Sequence, residues 1–136
     1  MIATLRERVL SRLIINSSGC LLWTGATTAA GYGVVGDGPR IEYVHRLMYM
    51  WFVGPIPDGH QIDHLCRIRP CASPADLEAV TQRANILRGE GATALNAAAT
   101  HCLNGHPFDL LNTYYRPDRT GRQCRACSRG RKRASA

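Results

Sequence analysis

Between Gln61 and Gly89 the alternation of apolar and polar residues changes period twice. Ile62, His64 and Cys66 alternate with Asp63 and Leu65, the two-residue repeat of a strand. Pro70 and the Ser73-Pro74 pair break the chain into a loop. Leu77-Glu78-Ala79-Val80 resumes the strand pattern, and Thr81 is a natural N-cap for a helix from Gln82 to Arg88, with Gly89 beyond its end. The stretch therefore predicts a strand, a cysteine-bearing loop, a second strand and a short helix, which sets His64 opposite Asn85. Upstream, MIATLRERVLSRLII reads as one amphipathic helix, and Asn16 to Gly19 as a turn. Strands are expected at Cys20–Gly25, Gly31–Gly36 and Ile41–His45, joined in one small antiparallel sheet, with Asp37-Gly38-Pro39 turning between the last two. The apolar density from Arg46 to Val53 predicts a buried helix, ended by Gly54-Pro55-Ile56-Pro57-Asp58-Gly59. The aromatic residues of this half read as core. His45 reads as a packed strand histidine and His60 as an exposed turn residue. Residues 90–100 are small and alanine-rich, a linker with some helical tendency. Residues 129–136 read as unstructured until bound to a partner. The class is α+β.

The chain has 136 residues, 45% of them hydrophobic, enough for one modest core with an appendage. No apolar run approaches the ~20 residues of a membrane span. Arg6, Arg8 and Arg12 interrupt any secretory apolar region, so a cytosolic context is expected. In that context six cysteines are metal ligands or thiols rather than disulfides. The net charge of +7 is concentrated at one end. Nine arginines nearly balance eight acids through residue 100, whereas eight basic residues face two aspartates after it. Such asymmetry points to a polyanion, nucleic acid above all. The basic residues are Arg116, Arg119, Arg122, Arg125, Arg129, Arg131, Lys132 and Arg133.

Two close ligand pairs lie inside that basic segment: Cys102-x3-His106 and, after 17 residues, Cys124-x2-Cys127. Four soft or borderline ligands on two tight turns suit tetrahedral Zn2+. A segment of ~35 residues cannot build its own core, so metal binding would supply most of its folding energy. His101 competes with His106, but as the direct neighbour of Cys102 it is awkwardly placed.

Asp63-His64, followed by Asp76 and Asn85, resembles the HNH, or His-Me finger, nuclease motif. The run HLC…C…SP…DL…N is similar to the His-Cys box homing endonucleases and to phage-type HNH proteins, as are G-C-x-x-W, G-Y-G, V-H-R and G-P-I-P-x-G upstream. The resemblance covers about residues 19 to 89, and the tail from Thr100 resembles a zinc module appended to such phage proteins. It implies a ββα-metal nuclease core over residues 1–89, a linker over 90–100, a zinc module over 101–128 and a basic tail over 129–136. It also implies a metal-dependent endonuclease acting on double-stranded DNA, encoded by a phage or prophage and at work in the bacterial cytoplasm. His64 would be the general base. Asp63 and Asn85 would hold a catalytic Mg2+ or Mn2+. Arg46 either grips a phosphate or pairs with Glu42 or Glu78. Relatives with a zinc-bearing loop imply a second structural site here at Cys20, Cys66, Cys71 and Asp76, so one or two zinc ions per chain. The plain alternative is three buried thiols, with Asp76 bracing the loop through backbone hydrogen bonds. The chain departs from the family pattern at Asp76, more often His or Asn, and at Ser73, usually Asn. Two other functions stay open: a zinc-stabilised, non-catalytic DNA-binding protein, and an RNA-binding one that stacks bases on Tyr114 and Tyr115. Target sequence, nicking against double-strand cutting, and a homodimer are likewise left open.

Overall fold

The computed structural model describes residues 3–117 and 121–134, which form two compact units, Met1–Asn85 and Ile86–Ala136. The first begins with helix α1, Leu5–Leu10, started by a capping box: Glu7 N–H donates to Thr4 Oγ1 and Thr4 N–H donates to the Glu7 carboxylate. The N-terminal segment is not one helix. Strand β1, Leu13–Ile15, pairs antiparallel with β2, Leu21–Trp23. Two β-branched residues end the helical pattern, and Asn16 Oδ1 closes the turn by accepting from the N–H groups of Ser18 and Cys20. The expected three-stranded sheet is also corrected. Strand β3, Val34–Asp37, pairs only with β4, Arg40–Tyr43, so the region holds two separate hairpins.

Trp23 explains the spacing between those hairpins. Its indole N–H donates to the Ala26 carbonyl, and its ring lies so close to Gly33 that a Cβ there would stand 2.7 Å from Cδ1. Only glycine lets the backbone approach the ring in this way. Helix α2, Val44–Phe52, buries Val44, Leu47 and Met48 against Val9, Trp23, Val35, Ile62, Ala72 and Leu77. This core seats strand β5, His60–His64, which pairs antiparallel with β6, Leu77–Thr81. A 3-10 turn, Pro74–Asp76, precedes β6, and helix α3, Gln82–Arg88, follows it. Thr81 Oγ1 accepts from Ala84 N–H, the cap the sequence predicts.

In the second unit, part of the expected linker is helix α4, Ala92–Ala98. Strands β7, Thr113–Tyr115, and β8, Arg122–Cys124, form a hairpin that leads into helix α5, Arg125–Ala134. Residues 129–134, expected to be unstructured, are therefore helical. Arginine, lysine and alanine are strong helix formers, and the preceding hairpin anchors the first turn. Arg119 lies outside the described residues.

Arg122 is a strut rather than a spare surface cation. Its guanidinium donates to the carbonyls of Asn96 (2.7 Å) and Ala99 at the end of α4, and lies over the Phe108 ring at 4.0 Å. Charged donors at helix C-terminal carbonyls satisfy acceptors that the helix itself cannot. Arg122→Ala is expected to cost the second unit about 1–3 kcal/mol and to speed amide exchange in α4 without changing metal content. Unchanged exchange over residues 92–98 would show that α4 does not depend on this strut.

Candidate active site and metal centres

Three consecutive β5 residues, Ile62, Asp63 and His64, are buried where the strand enters the loop. Only 6% of His64 is exposed. Its Nε2 lies 2.9 Å from the Cys71 carbonyl oxygen. A carbonyl can only accept, so the hydrogen bond assigns the proton to Nε2 and leaves the lone pair on Nδ1. Burial holds the imidazole below its ordinary pKa, opposed by the Cys71 hydrogen bond and by the charges of Asp63 and Asp76. The ring is therefore neutral, oriented and basic at one nitrogen.

Asp63 bonds Arg67 at 2.8 Å. Arg67 takes a left-handed backbone conformation (φ 59°) as the loop turns away from the strand. Gln61 and Asp63, two residues apart, face the same side of β5. The Asn85 amide donates to Gln61 Oε1 at 3.0 Å, which ties the first turns of α3 to that side. The hairpin thus carries a carboxylate and a carboxamide, groups of the kind a hard divalent cation takes, on one side of β5. His64, at the strand's end, turns to the other side with His45 and Tyr32. Arg46, in the first turn of α2, makes no ion pair among the described residues; the alternatives with Glu42 and Glu78 are not formed.

His45 was legible only as packing, and it sits in the first turn of α2 rather than in a strand. Its ring centroid is 4.9 Å from that of His64, 5.6 Å from Tyr32 and 5.5 Å from Tyr43. Its pKa is lowered to about 4, first by burial, then by His64 and Arg46. The V-H-R and G-Y-G motifs were the visible signals, but nothing local joins them to His64.

The loop beside His64 carries the first sulfur cluster. One ligand atom each from Cys20, Cys66, Cys71 and Asp76 all lie within 4.8 Å of one another. Burial pushes the Cys71 thiol up to about 12 and raises Cys66 as well. A dication held by these atoms would reverse that preference by favouring the thiolates. Ser73 N–H donates to Cys71 Sγ at 3.5 Å, the kind of outer contact that orients a ligand.

The second cluster joins Cys102, His106, Cys124 and Cys127. Two sulfurs on a tetrahedral zinc stand about 3.8 Å apart, and a sulfur and a nitrogen about 3.6 Å, from the usual bond lengths. Cys102 and Cys127 sulfurs are 3.7 Å apart, and His106 Nδ1 is 3.5 and 3.4 Å from them. The donors fit the ion. Backbone N–H of Cys127 and the Asn112 amide point at Cys124 Sγ, and the Cys127 contact is the leading cause that brings this thiol down to about 6. His101 stays out of the cluster, with Nδ1 on Thr100 Oγ1.

Residues 42–87 match the model of a family described as HNH endonuclease. The chain is similar to Protein 2.8 of Escherichia phage T7, 36% identical over 83 residues that make up 60% of this chain and 56% of that protein. It is also similar to the uncharacterized gene 5.3 protein of Enterobacteria phage T3, 33% identical over 40% of this chain and 57% of that protein. A third relative, Protein 7.7 of Escherichia phage T7, is 30% identical over 48% of this chain and 51% of its own length. The chain thus spans little more than half the length of these curated relatives. No solved structure matches it. Among the described residues no helix is long and apolar enough to cross a membrane.

Proposed function

From residues 42–87, an HNH endonuclease segment of the phage type, we propose that the chain is a metal-dependent DNA endonuclease at work in the cytoplasm of a bacterial host. The observation that carries this reading is the state of His64: buried, neutral, and held through Nε2 by the Cys71 carbonyl with Nδ1 left basic. A neutral imidazole held in one tautomer with a basic ring nitrogen is the form that general-base chemistry uses.

Hydrolysis of a phosphodiester needs a base for water and relief of charge on phosphate and leaving oxygen. His64 Nδ1 takes the proton from the attacking water. Asp63 and Asn85 would hold a Mg2+ or Mn2+, which supplies Lewis acidity and stabilises the leaving oxygen when bound. Arg46 holds a phosphate oxygen through its guanidinium. Both sulfur clusters would hold Zn2+ in a structural role, since four protein ligands at each leave no open position of the kind a catalytic zinc needs. The products are 5′-phosphate and 3′-hydroxyl ends.

The test is incubation of supercoiled plasmid with the zinc-loaded protein, with and without added Mg2+. Nicked or linear product only when the divalent ion is added supports the reading. Intact plasmid across Mg2+ and Mn2+ titrations would leave a nuclease-like binding protein. Asn85→Ala should shift the Mg2+ titration to higher concentration, with rate recovered in part at saturation. An unmoved titration would take Asn85 out of the ligand set.

A further inference from the structure

The second unit contains an open cleft lined by Tyr114, Gln123, Arg125, Ser128 and Arg129. Tyr114 and Gln123 are direct partners across the β7–β8 hairpin, so their side chains stand together on one face. Arg125 opens α5, and Arg129, four residues on, lies on the same side of the helix one turn later. Ser128 donates its hydroxyl to the Cys124 carbonyl. Among the described residues no acidic side chain lines the cleft, and the first turn of α5 has none.

Arg125 differs from an ordinary surface arginine. Its Nε donates to the Thr113 carbonyl at 3.3 Å, and its guanidinium lies 5.8 Å from the centre of the Tyr114 ring. These contacts use one donor and one face of the fork. The terminal nitrogens stay available for a planar pair of acceptor oxygens, and their orientation is fixed beforehand. Two like charges a turn apart, with no acid among the described lining residues, repel until an anion joins them. Guanine offers two acceptors at its major-groove edge, but a phosphate presents acceptors alone at every nucleotide and carries the negative charge that two arginines match.

We infer that this cleft clasps a single phosphate of the DNA backbone between Arg125 and Arg129, with the neighbouring sugar against the Tyr114 ring. The inference rests on the DNA reading above and goes beyond it. The basic segment is not a diffuse charged patch but contains one built phosphate seat, from which Arg122 is absent.

One phosphate neutralised by two arginines makes a numerical prediction. Each neutralised phosphate contributes about 0.9 to the slope of log affinity against log salt. Binding of the zinc-loaded full chain to duplexes of mixed sequence is measured by fluorescence anisotropy from 50 to 200 mM salt, without Mg2+ and without chelator. The Arg125→Gln/Arg129→Gln double variant, with zinc content verified, should lose about 0.9 of slope, equally on GC-rich and AT-rich duplexes. A loss of about 1.8 would mean two separate phosphates and overturn the clasp. An unchanged slope with affinity lost only on GC-rich duplex would overturn it in favour of a guanine contact. Tyr114→Leu should weaken binding a few-fold at unchanged slope; an unaltered affinity removes the sugar contact. Plasmid cleavage run beside these titrations separates the two levels. Wild type that cuts, with a double variant of wild-type slope, sinks the clasp and spares the nuclease. Wild type that neither binds nor cuts duplex sinks both.

Discussion

His64→Gln is expected to lower plasmid cleavage by about 10²–10⁴, the usual contribution of a general base, in a protein that melts close to wild type and keeps its zinc. Glutamine is the informative replacement because His64 is buried against His45 and Tyr32. An alanine would leave a cavity and an unanswered Cys71 carbonyl, confusing lost chemistry with lost structure. The glutamine amide can still donate to that carbonyl but supplies no nitrogen basic enough to take a proton from water. A His64→Gln enzyme that cuts at the wild-type rate would remove His64 from the chemistry. Because burial holds His64 below its ordinary pKa, the wild-type rate should persist to lower pH than an exposed histidine allows. A depressed pKa keeps the neutral, basic form populated as pH falls.

The second large effect is expected from Cys124→Ser. Elemental analysis should find two zinc ions in the wild-type chain and about one in the variant. The second unit has little else to hold it. Among its described residues Ala94, Thr113 and Cys124 are buried, while Leu103, Leu110 and Leu111 stand in solvent. Zinc-finger peptides draw about 10–16 kcal/mol of apparent folding free energy from the ion, so loss of one ligand should unfold residues 86–136 as a block. The first unit has its own core around Met48 and Val44 and its own cluster at Cys20, Cys66, Cys71 and Asp76. Amide exchange should therefore rise across α4, β7, β8 and α5 but not across β5 and β6. A variant that keeps two zinc ions and a protected α5 would refute the metal-folded second unit.

Much of this was readable from residues because the informative contacts are short in sequence. The β5–loop–β6–α3 hairpin follows from alternation, two prolines and one threonine cap. The ligand set of the second unit follows from two tight pairs, and His106 prevails over His101 because it is far enough from Cys102 to meet it across a turn. What escaped was non-local or two-sided. The segment Leu13–Ile15 satisfies both a helical and a strand pattern, and only its pairing with Leu21–Trp23 decides. The contact between His45 and His64 joins an α2 residue to a strand end through tertiary packing, which no period records. Counting charge treats arginines alike. The structure separates Arg122, spent on the end of α4, from Arg125, held ready over Tyr114. Arginine-rich composition from residue 129 argued for disorder, yet over residues 129–134 high helix propensity and the anchoring hairpin win.

Cys71 has two separate duties. Its sulfur belongs to the cluster with Cys20, Cys66 and Asp76, while its carbonyl fixes the proton on His64. A change at this one residue would therefore disturb both the cluster and the aim of the imidazole. Substitution by histidine or aspartate, both competent ligands, would still have to reproduce the path of the main chain. Any replacement must meet two demands at once, one on the side chain and one on the peptide group. On the nuclease reading proposed above, removing zinc from this cluster is expected to loosen the loop that carries the Cys71 carbonyl while Asp63 and Asn85 stay in place. Zinc supply, rather than synthesis of the chain, would then cap the number of copies able to cut.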